Sequence, residues 1–247
     1  MESIIKGMIY PQKLLADALE LFFPHRCLSC RRYLDDSYLC SKCFNALPVK
    51  RQSECVGCKR ATPDGKTCAF CRADNALDRL LIASDFKDPV VAGLIKRMKY
   101  SFIADLIGPL HGLTRKYLQL RAKKGLSFLE GSPLLVPVPL HIRRENWRGF
   151  NQARLLSDKL AAAYQIESSD ALARVGQSQN QAEIEDRSER LKNIRDLFAV
   201  SDKQKVAGRN IMLVDDVCTT GATLNECSRV LKDAGALSVS ALVIARG

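Results

Sequence analysis

The sequence predicts an α/β fold with a mostly parallel, doubly wound sheet, preceded by a small cysteine-rich module. Three observations support this prediction. Strand-like apolar stretches alternate with helix-like stretches after residue 76. Eight of the ten cysteines lie before that point, and near the C-terminus a short Thr/Gly loop joins a buried strand to a helix. Strands that alternate with helices favour a parallel sheet, because each helix carries the chain back to start the next strand in the same direction.

The composition divides the chain into three predicted regions: an N-terminal amphipathic helix (1–23), a cysteine module (24–75) and an α/β domain (76–247). Within the α/β domain, the apolar stretch 77–86 precedes a helix expected over 89–113, and strand-like stretches follow at 134–139, 171–175, 198–200, 211–214 and 239–245. Further helices are expected to end at Tyr164 and to begin at Thr223. Residues 176–193, which are polar and densely charged, are expected to form a mobile excursion.

The N-terminal segment is a poor candidate for a membrane span. Residues 11–23 place their apolar side chains on one helical face, but Asp17 and Glu20 interrupt it, and the segment is too short to cross a bilayer. We expect a helix that packs on a neighbouring domain, with a membrane-surface helix as the alternative. The missing export signal and the reduced thiols predict a cytoplasmic protein, and the formal charge of +11 allows an anionic partner.

The cysteine module is an internal duplication. Each half has the pattern C-x2-C-x9-C-x2-C, and a shift of 28 residues also pairs Arg32 with Arg60 and Asp36 with Asp64. This spacing predicts two structural zinc ions, because two C-x-x-C turns supply the four thiolates of a closed tetrahedral site. The simplest assignment gives one ion Cys27, Cys30, Cys40 and Cys43 and the other Cys55, Cys58, Cys68 and Cys71. Cross-braced pairing stays open, and His25 is expected to be a neighbour of the first site.

The stretch 211–223 predicts a site for a ribose phosphate. Four apolar residues are followed by Asp215 and Asp216, where the strand should emerge, and then by a loop of small residues that leads into a helix. Such a loop offers backbone N–H groups and the positive end of a helix dipole to a phosphate. The carboxylates suit sugar hydroxyls or a divalent cation. The predicted site comprises Asp215, Asp216, Val217, Cys218, Thr219, Thr220, Gly221, Ala222 and Thr223.

Cys218 admits a second interpretation within this stretch. A thiol at a helix N-terminus would have a lowered pKa and would be reactive. The favoured interpretation is a small side chain that fills space in the loop.

This stretch resembles the phosphoribosyl pyrophosphate (PRPP) signature of type I phosphoribosyltransferases. Together with the cysteine module and the segments IKRMKY, VPVPLH, RGFNQ and VDDVCTTGAT, it makes the chain from about Phe22 onward similar to the ComF family of competence-associated proteins. The resemblance implies a type I phosphoribosyltransferase fold with a double zinc ribbon. It also implies Mg²⁺-assisted PRPP binding, with residues 219–223 on the 5′-phosphate and Asp215 and Asp216 on the ribose. It further implies a role in natural transformation, with incoming single-stranded DNA and other competence proteins as partners.

Two functions stay open at this point. A working phosphoribosyltransferase with an unidentified acceptor needs cations on the pyrophosphate. The candidates are Lys96, Lys99, Arg143, Arg144 and Arg190, and His141 lies in the same turn as Arg143 and Arg144. A nucleic-acid-handling protein would pair cations with aromatic rings, and the candidates are Trp147, Arg148, Phe150 and Arg154. The two rings are alternatively anchors for a helix start. The sequence identifies no catalytic residue.

Overall fold

The computed structural model describes residues 26–34, 37–176 and 196–247 and divides the chain into two compact units, 1–47 and 48–247. This division falls between the two cysteine repeats, whereas the sequence places a boundary at residue 75. The second repeat therefore belongs to the same unit as the α/β domain. The predicted helix over 11–23, His25, Arg190 and nearly all of the predicted excursion at 176–193 lie outside the described residues.

The described part of the first unit is built around its cysteines. A short helix α1 (Ser41–Asn45) begins directly after Cys40, whose Sγ accepts a hydrogen bond from the backbone N–H of Cys43. An antiparallel bridge pairs Arg26 with Tyr33 and closes the first C-x-x-C turn.

The core of the second unit is a parallel sheet of four strands: β1 (Arg79–Asp85), β2 (Leu134–Pro137), β5 (Asn210–Cys218) and β6 (Ser238–Arg246). Their order in the sheet is β1, β6, β5, β2. They are rich in apolar residues because helices cover both faces of such a sheet. A separate antiparallel pair consists of β3 (Leu172–Arg174) and β4 (Phe198–Val200). The predicted α/β class with a mostly parallel sheet is confirmed.

Five helices of the second unit are α2 (Pro89–Tyr100), α3 (Ile107–Ala122), α4 (Ile142–Arg148), α5 (Gln152–Tyr164) and α6 (Ala222–Asp233). The prediction of a single helix over 89–113 is wrong, because the helix ends at Tyr100 and a second one begins at Ile107. Phe102 has a φ of 58°, in the left-handed region, and a short 3₁₀ turn at Ala104–Leu106 precedes α3. None of the helices in the described ranges is long and apolar enough to cross a bilayer.

Strand β5 is longer than the sequence predicts. It continues past Val214 through both aspartates to Cys218 and pairs with β6 along this length. Successive side chains of a strand point to opposite faces, so Asp215 and Asp216 face different neighbours. The predicted end of the strand at Val214 is therefore wrong, while α6 begins at Ala222, one residue before its predicted start.

Candidate functional site

The eight module cysteines form two sequential tetrads. Cys27, Cys30, Cys40 and Cys43 make up the first tetrad and Cys55, Cys58, Cys68 and Cys71 the second, and within each the four sulfurs lie within 4.8 Å of one another. The Sγ atoms of Cys27 and Cys40 are 3.8 Å apart, as are those of Cys58 and Cys68. Zinc–sulfur bonds of about 2.3 Å in a tetrahedron require sulfurs about 3.8 Å apart, so both sets of thiols fit structural zinc.

The duplication is repeated in the backbone hydrogen bonds. The N–H of Cys40 donates to Sγ of Cys27, and 28 residues later the N–H of Cys68 donates to Sγ of Cys55. Burial raises the pKa of the Cys27 and Cys55 thiols, but neighbouring backbone N–H donors outweigh it, so the pKa of each is lowered to about 6. Both thiols are therefore readily available as thiolate ligands.

The Thr/Gly loop (residues 219–223) joins the end of β5 to the start of α6. Gly221 occupies the position before the helix with a φ of 85°, a conformation that side chains disfavour. The Thr220 hydroxyl accepts a hydrogen bond from the N–H of Ala222 at 3.3 Å. The first turn of a twelve-residue helix thus begins at this loop, and its N–H groups and dipole favour an anion there.

The two aspartates differ in their surroundings. Asp216 is only 3% exposed, and its Oδ1 lies 2.8 Å from Nζ of Lys99, while its Oδ2 has no hydrogen-bond partner among the described residues. Asp215 accepts a hydrogen bond from the N–H of Asp216 at 2.8 Å. Burial and then the neighbouring Asp216 carboxylate raise the pKa of Asp215 to about 7. Asp216 is therefore paired with a lysine through one of its two oxygens. Asp215, in contrast, is partly protonated near neutral pH.

A cavity of about 230 Å³ lies beside the aspartates and reaches the loop at Thr223, whereas Thr220, Gly221 and Ala222 line a separate cavity of about 590 Å³. The cavity beside the aspartates lies beyond the carboxyl ends of β2 and β5, where ligands of open parallel sheets bind. The predicted site residues that line it are Lys99, Arg144, Asp215, Asp216, Val217 and Thr223. The β3–β4 pair contributes Arg174 and Phe198 to the same cavity, although neither was singled out in the sequence.

The other predicted cations lie elsewhere. The Lys96 ammonium is 5.9 Å from the centroid of the Phe86 ring, and Arg143 is exposed in the first turn of α4. His141 precedes that helix and its Nδ1 accepts the N–H of Arg143 at 3.1 Å, so His141 caps the helix. Arg154 forms an ion pair with Asp170.

The structure assigns Arg148 to the interior, in contrast to the surface role predicted for it. Its Nε donates to the backbone carbonyl of Lys99 at 3.1 Å and its guanidinium donates to Gln152. Arg148 therefore ties α4 to the end of α2 that carries Lys99. Trp147, in contrast, is 61% exposed, and its ring meets the Phe102 ring edge-to-face with centroids 4.6 Å apart.

Cys218 is the last residue of β5 and is buried. Burial raises the pKa of its thiol to about 11, so the interpretation as a reactive thiol is wrong. The helix that was expected to lower the pKa begins four residues later, at Ala222.

Sequence reasoning missed the residues that hold the second repeat in its unit. The Arg246 guanidinium, at the end of β6, donates to the backbone carbonyls of Cys55 at 3.0 Å and Val56 at 2.5 Å, and it pairs with Glu54 at 3.0 Å. Asp64 pairs with Arg79 at 2.8 Å and with Arg121. The repetition of Asp36 at Asp64 was the one feature of the sequence that pointed to any of these contacts. The partners of Arg246 lie far away along the chain, so they leave no local sequence pattern.

Comparisons with known proteins agree with this architecture. A double zinc ribbon domain matches residues 18–72 and a phosphoribosyl transferase domain matches residues 148–247. The chain is 32% identical to Competence protein F of Haemophilus influenzae, over 91% of this chain and 98% of that protein. It is 29% identical to the DNA utilization protein YhgH of Escherichia coli K12, over 84% and 96% of the two chains.

A third relative covers less of the chain. Competence protein ComFC of Bacillus subtilis is 37% identical over 46% of this chain and 44% of its own length. The family of this chain follows from the two matched domains and their order, and from the similarity to Competence protein F along nearly the whole length. The chain belongs to the ComF family of competence-associated proteins.

Proposed function

We propose that this protein binds PRPP or a related ribose phosphate together with Mg²⁺ and takes part in natural competence, handling incoming single-stranded DNA in the cytoplasm. The observation that carries the ligand assignment is the Asp216 carboxylate. It is buried on the wall of the cavity, and its Oδ2 lacks a hydrogen-bond partner among the described residues.

An unsatisfied buried carboxylate oxygen is costly, and it is usually satisfied by a ligand, an ion or water. A ribose hydroxyl would donate to Oδ2, and Mg²⁺ would bind it directly, because carboxylate oxygens are the ligands that this ion prefers. Lys99 is the one cation paired with the two aspartates among the described residues, so an added divalent cation would complement the remaining negative charge. The residues present therefore fit Mg²⁺ with a phosphorylated sugar.

The remaining parts of PRPP have matching groups nearby. The Thr/Gly loop and the first turn of α6 offer N–H groups to the 5′-phosphate. Lys99 and Arg144 line the same cavity and suit the pyrophosphate, whose charge the Mg²⁺ would share. In this proposal the chain's own groups bind and orient the ligand, and the metal supplies charge neutralisation.

The part of the proposal that concerns DNA is supported by an exposed surface that shares Arg144 with the cavity, and by the relatives. Trp147, Phe102 and Tyr100 are exposed rings, and Arg143 and Arg144 are exposed cations on α4 beside Trp147. Rings that stack on bases and cations that contact phosphates suit a single strand. Two relatives are named for competence and one for DNA utilization, which favours this role and makes competence proteins expected partners.

Calorimetry with PRPP and Mg²⁺ tests the ligand assignment. Asp216→Asn is expected to weaken PRPP binding at least about 10-fold, equal to about 1.4 kcal/mol, because the amide loses the metal-binding charge. Asp158→Asn, which removes an exposed carboxylate on α5, is the matched control and should bind as the wild type does. A wild-type protein that does not bind PRPP would refute the assignment.

An active phosphoribosyltransferase is the alternative, and the cavity gives it one supporting observation. Arg174 and Phe198 line the cavity together with the aspartates, so a flat acceptor could lie beside the sugar. Release of pyrophosphate from PRPP in the presence of a panel of nucleobases tests this alternative. Salt-sensitive binding of a single-stranded oligonucleotide that survives Asp216→Asn would instead support a separate DNA surface.

A further inference from the structure

The second cysteine repeat lies directly against the Thr/Gly loop. Val56, between the first two ligands of the second tetrad, is fully buried in the core of its unit. A Cβ placed on Gly221 would stand 2.6 Å from Cγ2 of Val56 and 3.8 Å from its carbonyl oxygen. The loop therefore runs so close to the C-x-x-C turn that only a glycine fits at this point.

The turn beneath the loop is held from two directions. Cys55 and Cys58, on either side of Val56, are ligands of the second tetrad. The buried Arg246 guanidinium binds the backbone carbonyls of Cys55 and Val56 and is anchored by Glu54. The turn is thus fixed to the carboxyl end of β6, the strand next to the one that leads into the loop.

A second connection joins the segment after the tetrad to the start of α6. Oδ1 of Asn225 accepts the backbone N–H of Ala76 at 2.6 Å, and its Nδ2 donates to the carbonyl of Asp74 at 3.3 Å. Asp74 and Ala76 follow Cys71, the last ligand of the second tetrad. Both the loop and the first turn of the helix are therefore held by chain segments that the second tetrad orders.

We infer that the second tetrad is a positioning element of the Thr/Gly loop, so that metal bound there sets the geometry with which the loop meets a phosphate. The affinity part of this inference rests on the proposed function, whereas the order of the loop does not. Without the metal, the turn carrying Val56 loses the cross-link between its cysteines and the pair at Cys68 and Cys71. The loop then loses the surface on which Gly221 rests. The first tetrad belongs to the other compact unit, which does not contain the loop.

The duplication provides matched variants for the test. Val56 corresponds to Leu28 under the 28-residue shift, so Val56→Ala and Leu28→Ala truncate equivalent positions in the two repeats and keep all eight cysteines. Amide hydrogen exchange of residues 219–225 in the full chain reports the order of the loop without any ligand. We expect Val56→Ala to speed this exchange by about 10-fold and Leu28→Ala to leave it unchanged.

PRPP affinity and zinc content complete the test. Val56→Ala is expected to weaken PRPP binding about 5-fold while the chain retains two zinc ions, which separates a positioning effect from loss of the metal. Cys58→Ser and its counterpart Cys30→Ser should each release one zinc, with faster exchange at residues 219–225 in the first alone. Unchanged exchange in Val56→Ala, or equal effects of the two cysteine variants, would overturn the inference. Wild-type protein that fails to bind PRPP would refute the proposed function, while the exchange data would still decide this inference.

Discussion

At the scale of single residues, Asp215 and Asp216 are neighbours with different tasks. Both lie in β5, so their side chains leave the sheet on opposite faces. Asp216 meets Lys99 and, through the end of α2, the buried Arg148. Asp215 has a pKa raised to about 7. Asp216 is therefore paired with a lysine, whereas Asp215 carries a charge that varies around neutral pH.

The raised pKa of Asp215 predicts how the free energy of unfolding changes with pH. The unfolded carboxyl titrates near 3.8 and the folded one near 7, so between these values the native state holds a proton that the unfolded state has released. The stability contributed by this residue therefore falls as pH rises from about 4 to about 7. Asp215→Asn should remove this loss and be more stable than the wild type by about 4 kcal/mol at pH 8, but not at pH 4, because each pH unit between the two pKa values contributes about 1.4 kcal/mol.

Urea unfolding between pH 4 and pH 8 measures this difference. Asp158→Asn, the exposed carboxylate of α5, is the control and should follow the wild-type pH dependence. If wild type and Asp215→Asn differ by the same free energy at every pH, Asp215 does not titrate in this range and the assignment is wrong.

At the scale of elements, the second repeat is fastened to the sheet by ionic contacts as well as by apolar packing. Asp64 lies between the two C-x-x-C turns and pairs with Arg79 of β1 and with the buried Arg121 of α3. Neither arginine loses its charge readily, so removal of the shared carboxylate leaves two cations partly uncompensated in the interior. Asp64 therefore connects the repeat to one strand and one helix at once.

Asp64→Asn should lower the free energy of unfolding by about 3 kcal/mol, because breaking a buried pair costs more than the pair contributes. Urea denaturation with parallel zinc analysis measures this loss and shows whether both ions stay bound. Asp105→Asn, an exposed carboxylate in the 3₁₀ turn, should change stability by less than about 0.5 kcal/mol. A loss below about 1 kcal/mol in Asp64→Asn would show that the arginines find other partners.

Local patterns explain which elements the sequence could predict. The apolar runs of β2 and β6 and the two tetrads all depend on residues close together in the chain, and these agree with the structure. The break after α2 does not follow from local sequence, because no glycine or proline stands at Phe102, where the backbone turns left-handed. The hydrogen bond from Arg148 to Lys99 spans 49 residues and the contacts of Arg246 span at least 190, and a single sequence gives no sign of them.

At the scale of the whole molecule, the two repeats share a local structure and differ in their surroundings. The same hydrogen bonds recur after 28 residues, yet the first repeat lies in the unit 1–47 and the second in the unit 48–247. Metal at the second tetrad therefore contributes to the unit that contains the sheet and the candidate site. The duplication in sequence does not imply an equal contribution to stability.

Calorimetry on the full chain tests this difference. Cys55→Ser should lower the main unfolding transition by at least about 10 °C, because the free energy of zinc binding is part of the folding free energy of that unit. Cys27→Ser, the equivalent change in the first repeat, should shift the main transition by less than about 2 °C. Equal shifts in the two variants would mean that the repeats contribute alike.

The close approach of Val56 to Gly221 also works in the opposite direction. A coupling between two binding events is reciprocal. A metal that raises the affinity of the loop for a phosphate must therefore itself bind more tightly when the phosphate is present. At equilibrium, added ligand would then reduce the amount of zinc that competing thiols or chelators remove from the second tetrad. The sugar phosphate would then stabilise metal binding at the second tetrad by the same free energy with which the metal stabilises phosphate binding at the loop.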